Sequence, residues 1–293
     1  MTIGSIASET VDLAGEEELE LADASRAKRR SRRREFLLAW VIRIVVLGAL
    51  ISSWQVVAAK NIISKAFIGE PSGVWSSFIG LFSTNIVTTD LATTLEETLI
   101  GFAMAVTIGV LGGYVLTRSP LLYRAFRPLI TGANSVPRIA LVPVFIIWFG
   151  LGPPSKIANI IVFVSIFVLI NSLAAFSNAD RDLLLLSRTL GFSEHERMMK
   201  FVLPSAVPVL AGTVELALIY SFLGSITGEI LGGFNGLGVQ LEADANELNT
   251  NQYFAILLLI VIVVCTLVQG LHHIRVRLLR WQEIEIRGQH GSS

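Results

Sequence analysis

Residues 255–268 read AILLLIVIVVCTLV, an apolar run that contains no charged residue. With its flanks it extends over residues 253–271. A helix that crosses the hydrocarbon of a bilayer needs about 20 mainly apolar residues, and a soluble core helix rarely has so many in sequence. The run therefore predicts a membrane-spanning helix, and with it a membrane protein.

Five similar segments precede this run, at 36–59, 95–117, 126–149, 157–176 and 205–231. The whole chain is 53% hydrophobic and only 16% charged, whereas soluble domains carry about 25% charged residues. These features predict an all-α fold, a polytopic membrane helical bundle with about six transmembrane helices. The third segment contains Pro128, Pro137, Arg138 and Pro143, so we expect a broken helix beside a cavity.

Lysine and arginine are distributed unevenly over the segments between the spans. Segments 1–35, 118–125, 177–204 and 272–293 hold 17 of them, while the opposite loops hold only Lys60, Lys65 and Lys156. By the positive-inside rule, both termini are predicted to be cytoplasmic in a multi-pass protein of the cytoplasmic (inner) membrane. The run AKRRSRRR at 27–34 is interpreted as an orientation signal that also contacts anionic membrane lipid, with no nucleic-acid partner.

The domain organisation predicted from these features has four parts. Residues 1–35 form a disordered cytoplasmic tail that ends in the basic run, because the acidic stretch before that run has no apolar face to bury. Residues 36–90 hold the first transmembrane helix and an outer loop. Residues 91–272 form the core domain of the bundle with a cytoplasmic loop at 177–204, and residues 273–293 form a C-terminal cytoplasmic tail.

The loop between the fourth and fifth spans continues into the fifth span as RDLLLLSRTLGFSEHERMMKFVLPSAVP, residues 181–208. A helix is predicted over 183–190, with a turn at Gly191 that breaks it. Ser193 and Glu196 have the spacing of a capping box, which predicts a second short helix. A helix, turn and helix at a membrane surface form a compact knob that a cytoplasmic partner can bind.

The same loop resembles the coupling loop of permeases from ABC importers. Gly191 is followed by nine residues, then Phe201, Val202 and the pair Leu203-Pro204, which is the spacing of that motif. The resemblance implies the type I (MetI-like) importer architecture and docking of this loop on ATPase subunits. The residues it assigns to coupling are Gly191, Glu194, Glu196, Phe201, Leu203 and Pro204.

Three further blocks resemble the permease group for nitrate, sulfonates, taurine and bicarbonate. They are TLEETLIGF at 94–102, SVPRIALVPVFIIWFGLGPPSKI at 135–157 and GGFNGLG at 232–238. This resemblance implies a permease subunit that imports a small organic or inorganic anion such as a sulfonate, taurine, nitrate or bicarbonate. A vitamin precursor or aromatic acid, carried by the same mechanism, is the alternative substrate.

The resemblance also implies the partners of the chain. They are two ATP-binding-cassette ATPase subunits, a second permease copy in a homodimer, and an extracytoplasmic solute-binding protein. ATP and Mg²⁺ would bind to the ATPase, and no cofactor is expected on this chain. The outer loop acids Glu242, Asp244 and Glu247 are candidates for contacts with the binding protein, with ordinary solvation as the alternative.

Ionisable residues inside spans are candidates for the translocation path. Arg138 lies in the broken third span, where a cation would favour an anion. Glu215 is expected to pair with a cation such as Arg138 or to face the path. Glu229 is a further path candidate, although its position near the outer end also allows it to reach water. For all three, a packed or paired structural role is the alternative, and Glu97 is expected to be solvated.

Two other function classes, an enzyme and a secondary transporter, fit the sequence less well than an importer subunit. An enzyme would need clustered nucleophiles, metal ligands or carboxylates, and the four histidines and the single Cys265 give no such pattern. An ion-gradient-driven secondary transporter would commonly show inverted repeats. Gly109, Gly112 and Gly113 form a small-residue face, for which packing inside the bundle is predicted over a homodimer seam.

Overall fold

The computed structural model describes residues 35–178 and 181–279, and every regular element within them is helical. Residues 1–34 of the predicted tail at 1–35, and residues 280–293 of the predicted C-terminal tail, lie outside the described residues. The chain divides into two compact units, residues 1–64 and residues 65–293.

The first unit contains one long helix, α1, over Glu35–Ala59. Its mean hydropathy of 2.2 makes it apolar enough to cross a membrane. Its large apolar side chains are exposed, including Leu38, Val45 and Leu50, as expected of a helix that faces lipid. The helix confirms the first predicted span.

The second unit holds the remaining helices. They are α2 (Lys65–Ile68), α3 (Pro71–Leu81), α4 (Leu91–Arg118), α5 (Pro120–Ser135), α6 (Arg138–Phe149), α7 (Pro153–Ser177), α8 (Arg181–Thr189), α9 (Glu194–Arg197), α10 (Leu203–Gly232), α11 (Leu237–Asn246) and α12 (Thr250–Leu278). A π-helical turn at Ile86–Asp90 leads into α4, and another at Met198–Val202 joins α9 to α10.

The third predicted span is a bent pair of helices, which confirms the expected break. Helices α5 and α6 meet at 95°. Val136 and Pro137 have extended backbone between the two helices, and a proline before α6 cannot donate the N–H that would continue the ladder. Four other helical segments in this unit are long and apolar enough to cross a membrane; with α1 and the bent pair they make six.

Helices α4 and α7 run side by side in the same direction, and glycines set their close approach. A Cβ on Gly109 would lie 2.6 Å from Cβ of Val168, and one on Gly113 would lie 2.5 Å from Cβ of Ser172. No real side chain tolerates such distances, so the two backbones meet where α4 has no side chain. The predicted packing of Gly109 and Gly113 inside the bundle is confirmed.

Helix α10 runs in the opposite direction across both. Gly228, near its end, packs on Lys156 near the start of α7, and the rings of Tyr220 and Phe167 meet edge to face at 4.9 Å. We call the end of the bundle with residues 232–238 the glycine-turn end, and the end with residues 181–202 the loop end. Since α4 finishes at the loop end and α7 starts at the other, the chain between them must cross back, and α5 and α6 make this crossing.

Helices α2, α3 and α11 lie at the glycine-turn end beside the start of α12. The backbone N–H of Glu70 donates to Oδ1 of Asn251 at 2.8 Å, which fixes the start of α3 against α12. Gly73 of α3 also contacts the Asn251 side chain, so close that a Cβ there would overlap it. These contacts give the glycine-turn end a helical cap.

Candidate functional site

The loop end carries a helical hairpin made of α8, a turn at Gly191 and α9. Gly191 has φ of +76°, a left-handed conformation that favours glycine. Oγ of Ser193 accepts the N–H of Glu196 at 3.3 Å, and a carboxylate oxygen of Glu196 accepts the N–H of Ser193 at 3.0 Å. The predicted helix, glycine turn and capping box are all confirmed.

Side chains hold this hairpin together and tie it to α4. The rings of Phe192 and Phe201 pack at 5.5 Å, with the ammonium of Lys200 4.9 Å from the Phe192 ring centre. The guanidinium of Arg118, at the end of α4, donates to the backbone carbonyl of Glu194 at 3.3 Å. These contacts attach the hairpin to the end of α4.

The outer surface of the hairpin is apolar. Leu185, Leu186 and Leu190 are 59%, 53% and 64% exposed, and Met199 is 45% exposed. Beneath them, Met198 and Val202 pack into a buried cluster with Ala175, Phe176 and Ala206. An apolar patch on a rigid, partly charged projection has the character of a protein-docking surface.

A cavity of about 200 Å³ opens between α6, α7 and α10. Arg138, the first residue of α6, lines it, and its guanidinium lies 5.4 Å from the Tyr220 ring centre. Asn159, Tyr220 and Thr227 are the other side chains of the wall with polar atoms, and apolar residues lie between them. The second half of the broken span therefore lies beside a cavity, one of the two settings in which irregular backbone is tolerated.

Glu215 lies elsewhere, on the face of α10 toward α12. One carboxylate oxygen lies 3.3 Å from the guanidinium of Arg275, and the other lies 3.4 Å from Nδ1 of His272. Glu215 therefore pairs with a cation, as expected, but the cation is Arg275 of α12, and the partner named as an example, Arg138, is wrong. This arrangement ties α10 to α12 toward the loop end.

At the glycine-turn end, a buried carboxylate organises the turn. Oε2 of Glu229 accepts the N–H of Gly238 at 2.7 Å, and Oε1 accepts the hydroxyl of Thr94 at 2.7 Å. Oγ1 of Thr94 in turn accepts the N–H of Leu237 at 2.9 Å. Asp90 accepts the N–H of Gly236 at 3.0 Å. Three successive amides at the start of α11 are thus satisfied by side chains.

This polar cluster continues deeper into the bundle. Ser225 donates its hydroxyl to Glu97 at 2.9 Å and lies 3.4 Å from Glu229. Lys156 interacts electrostatically with both carboxylates and donates to the carbonyls of Leu151 and Gly152. Glu97, Glu229 and Lys156 are 1%, 0% and 2% exposed, so the expected solvation of Glu97 is wrong, and Glu229 does not reach water.

Comparison with known proteins identifies the family. The sequence profile described as "Binding-protein-dependent transport system inner membrane component" matches residues 105–281, which is more than half of the chain. The chain belongs to this family. Its members are permeases of binding-protein-dependent transport systems, so this chain is a transport permease of the inner membrane and not an enzyme.

Two curated relatives match nearly the whole permease. The putative aliphatic sulfonates transport permease protein SsuC of Bacillus subtilis is 24% identical over 89% of this chain and 94% of the relative. The taurine transport system permease protein TauC of Escherichia coli is 26% identical over 82% of this chain and 89% of the relative. The predicted resemblance to this permease group is confirmed.

The fold is likewise that of an importer permease. A solved inward-facing structure of the MetNI methionine ABC transporter superposes with a TM-score of 0.55, at 23% identity, over 65% of this chain and 93% of that one. The predicted type I, MetI-like architecture is confirmed. At this identity, the likeness concerns the fold alone.

The three path residues predicted from the permease sequence occupy three separate places. Arg138 lines the cavity, Glu215 pairs with α12, and Glu229 supports the glycine turn. Sequence reasoning missed the convergence of Asp90, Thr94 and Glu97 with Glu229. A signal was present, because residues 90, 94 and 97 lie on one face of a helix at i, i+4 and i+7.

Proposed function

We propose that this permease forms, as a homodimer, the translocation path of an ATP-driven importer for a small anion such as a sulfonate or taurine. The names of its relatives support this class of substrate. A solute-binding protein would deliver the anion at the glycine-turn end. A vitamin precursor or aromatic acid remains the alternative cargo of the same mechanism.

The observation that carries the coupling role is the exposed apolar face of the loop-end hairpin. More than half of the surface of Leu185, Leu186 and Leu190 is exposed, so these side chains add little to the stability of this chain by itself. The residues beneath them hold the hairpin against the bundle. We assign this face to one ATPase subunit per permease copy, and so two per homodimer. ATP and Mg²⁺ would bind to those subunits.

The orientation follows from the same assignment. ATP is cytoplasmic, so in this proposal the loop end faces the cytoplasm, and the positive-inside count supports both termini on the same side. The coupling residues Gly191, Glu194, Glu196, Phe201, Leu203 and Pro204 all lie in or beside the hairpin. Helix α10 then spans from the hairpin to the glycine turn, about 45 Å at 1.5 Å per residue.

Reconstitution tests the proposal. The permease is co-purified with its ATPase subunit and placed in vesicles with the binding protein and radiolabelled sulfonates. Uptake should require ATP and persist when ionophores collapse ion gradients. Uptake that continues without ATP and stops with an ionophore would instead support a secondary transporter.

Substitution then tests the docking face. Leu190→Asp puts a charge into the apolar face and should reduce co-purification of the ATPase at least about tenfold, an effect of about 1.4 kcal/mol or more on association. Phe234→Asp, at a residue 71% exposed in the glycine turn, is the matched control and should leave co-purification unchanged. Equal recovery of the ATPase with both variants would contradict the assignment.

A further inference from the structure

A second cavity, of about 540 Å³, lies at the loop end between α5, α7 and the end of α4. We call it the Arg127 cavity, and we call the cavity of about 200 Å³ between α6, α7 and α10 the Arg138 cavity. The face of α5 that lines the Arg127 cavity carries polar groups at i, i+4, i+8 and i+11, from Tyr123, Arg127, Thr131 and Asn134. Helix α5 therefore turns one polar face inward.

A narrow space, which we call the constriction, separates the two cavities. It is too narrow for a water molecule, and it is lined by Ala133, Asn134, Val136, Arg138, Phe163 and Ile166. Asn134 also lines the Arg127 cavity, whereas Arg138 and Phe163 also line the Arg138 cavity. The constriction therefore adjoins both cavities and lies between them.

One face of α7 forms a wall of all three spaces. The residues of this face, in chain order, are Asn159, Phe163, Ile166, Ile170, Leu173 and Ser177. They recur at i, i+4, i+7, i+11, i+14 and i+18, which is the spacing of a single helical face. At 1.5 Å per residue they extend over about 27 Å, close to the hydrocarbon thickness of about 30 Å. The three spaces are thus successive parts of one route across the bundle.

The chemistry of this route suits an anion. Arg127 lies on the loop-end side of the constriction and Arg138 at its other end, and none of the lining residues is acidic. Within residues 35–178 and 181–279, no ion pair includes either arginine. Cations inside a bundle attract anions to a path. Phe163 and Ile166 make the middle largely apolar, and an apolar constriction excludes water and ions until it widens.

Helix α5 is the wall of the constriction that can move. None of its residues is buried, whereas Phe163 on the facing wall is only 8% exposed. The bend at Val136 and Pro137 interrupts the helix directly beside the constriction. At its other end, α5 follows α4, whose Arg118 binds the loop-end hairpin. A displacement of the hairpin is thus transmitted to α5 through the end of α4.

We infer that the constriction is the gate of the permease, and that the anion passes along this face of α7 when α5 moves away from Phe163. The inference rests on the proposed function, and it adds the place at which the path is closed. The Arg138 cavity holds the anion before the gate opens. Arg127 then receives it on the loop-end side.

The test uses the complex of permease and ATPase in sealed inside-out vesicles, so that a reagent outside meets the loop end. Cys265 is replaced by alanine, and one cysteine is introduced, as Thr131→Cys in the Arg127 cavity or Thr227→Cys in the Arg138 cavity. The probe is 2-sulfonatoethyl methanethiosulfonate, a thiol reagent that is itself a small sulfonate. Thr131→Cys should react at least about tenfold faster than Thr227→Cys, because the constriction keeps the probe from position 227.

Two variants widen the constriction from the side of α7. Phe163→Ala or Ile166→Ala should raise the rate at Thr227→Cys about tenfold, leave the rate at Thr131→Cys within about twofold, and let labelled ethanesulfonate leak without ATP. Ile166 is only partly buried, so Ile166→Ala decides the test if Phe163→Ala does not fold. Phe167→Ala is the matched control and should change neither rate, since Phe167 packs on Tyr220 and lines none of the three spaces.

Equal rates at the two cysteines in the otherwise unchanged protein would overturn the inference. So would an Ile166→Ala variant that keeps the slow rate at Thr227→Cys or gives the same rates as Phe167→Ala. ATP-driven uptake is measured on the same preparations before labelling. If uptake is ATP-driven but the two cysteines react alike, the gate is refuted and the importer stands; if the rates differ as expected but uptake ignores ATP, the importer is refuted.

Discussion

Oε2 of Glu229 accepts the backbone N–H of Gly238 at 2.7 Å, across the turn that joins α10 to α11. The carboxylate is fully buried, and a Cβ on Gly238 would lie 2.7 Å from its Cβ. The glycine turn therefore closes over Glu229, and the glycines are required because the chain passes so near to this side chain. Glu229 acts here as the acceptor that fixes the cap at this end of the bundle.

Substitution of Glu229 should lower the free energy of unfolding. The size of the loss depends on whether the new side chain can still accept the N–H of Gly238. Glu229→Leu leaves the N–H of Gly238 and the hydroxyl of Thr94 without their acceptor, at about 2–4 kcal/mol. Glu229→Gln should cost less, because its carbonyl still accepts from Gly238 while its amide donates to Thr94, whose hydroxyl can turn to the Asp90 carbonyl at 3.1 Å.

Thermal unfolding in detergent measures this order. Glu242 is exposed on α11, so Glu242→Leu and Glu242→Gln serve as matched controls and should change the apparent Tm little. A Glu229→Leu protein as stable as Glu242→Leu would show that the carboxylate does not hold the turn.

The packing of α4 on α7 predicts a second stability effect. A Cβ on Gly109 would meet Cβ of Val168 at 2.6 Å and the backbone oxygen of Ser165 at 2.8 Å, and backbone cannot move aside as a flexible side chain can. Gly109→Ala should therefore destabilise the bundle by about 1–3 kcal/mol. Gly270 of α12 has no atom within 4 Å of such a Cβ, so Gly270→Ala should be neutral or slightly stabilising.

The apparent Tm of the two glycine variants gives the comparison. Equal Tm values would mean that α4 and α7 do not pack as closely at Gly109 as the structure shows.

Patterns within single segments predicted much of this fold. Apolar length predicted the spans, prolines predicted the break between α5 and α6, and the capping box at Ser193 and Glu196 predicted the start of α9. Each of these depends on residues close in sequence. The cluster around Glu229 joins residues 135 positions apart, Thr94 and Glu229, and no local pattern contains such a pairing.

The two wrong expectations have the same origin. Glu97 lies two turns into α4, where a helix end near the membrane surface is often solvated, and only the tertiary contact with Ser225 shows its burial. Glu215 was assigned to Arg138 because both lie inside spans. Arg275, near the end of the last helix, is the residue that the packing of α12 on α10 brings to it.

Asp244 of α11 gives the permease a pH-dependent contribution to stability. Burial raises the pKa of this carboxyl from 3.8 to about 6, with the neighbouring Glu247 adding to the increase and the hydrogen bond from Asn249 opposing it. Its Oδ2 is buried without a partner. The folded protein therefore holds this proton more tightly than the unfolded chain does.

The sign follows from that difference. Between about pH 4 and pH 6 the folded state binds more protons, so this group's contribution to the free energy of unfolding decreases as pH rises, and the loss is complete above about pH 6. Asp244→Asn carries no such charge and should be more stable than the wild type at pH 7.5 by about 1 kcal/mol. The difference should be about a third as large at pH 4.5, where the folded carboxyl is still protonated but the unfolded one is already mostly ionised.

Apparent Tm measured from pH 4.5 to 7.5 on both proteins tests this, with Glu242→Gln as the control for an exposed acid on the same helix. A constant difference between Asp244→Asn and the wild type across this range would contradict the assignment.

Gly191 predicts how the loop-end hairpin responds to substitution. Its φ is +76°, and a Cβ added there would meet no atom within 4 Å, so only the backbone conformation limits the residue. A left-handed conformation costs most L residues about 1–2 kcal/mol and asparagine less. Coupling of ATP hydrolysis to transport should therefore decrease in the order Gly, Asn, Ala and Val at this position. If crowding limited the site instead, coupling would decrease with side-chain size, and Ala would be tolerated better than Asn.

ATP hydrolysis and solute uptake are both measured on the reconstituted complex, and their ratio gives the ATP hydrolysed per solute imported. Gly150 is a matched control, because it also has a positive φ, +80°, and open space around its Cβ, but it lies at the opposite end of the bundle. Gly150→Ala should lower thermal stability without changing the ATP hydrolysed per solute imported, whereas Gly191→Ala should raise that ratio. A Gly191→Val protein with the wild-type ratio would refute the coupling role of the hairpin, since a β-branched residue is strongly disfavoured in this left-handed conformation.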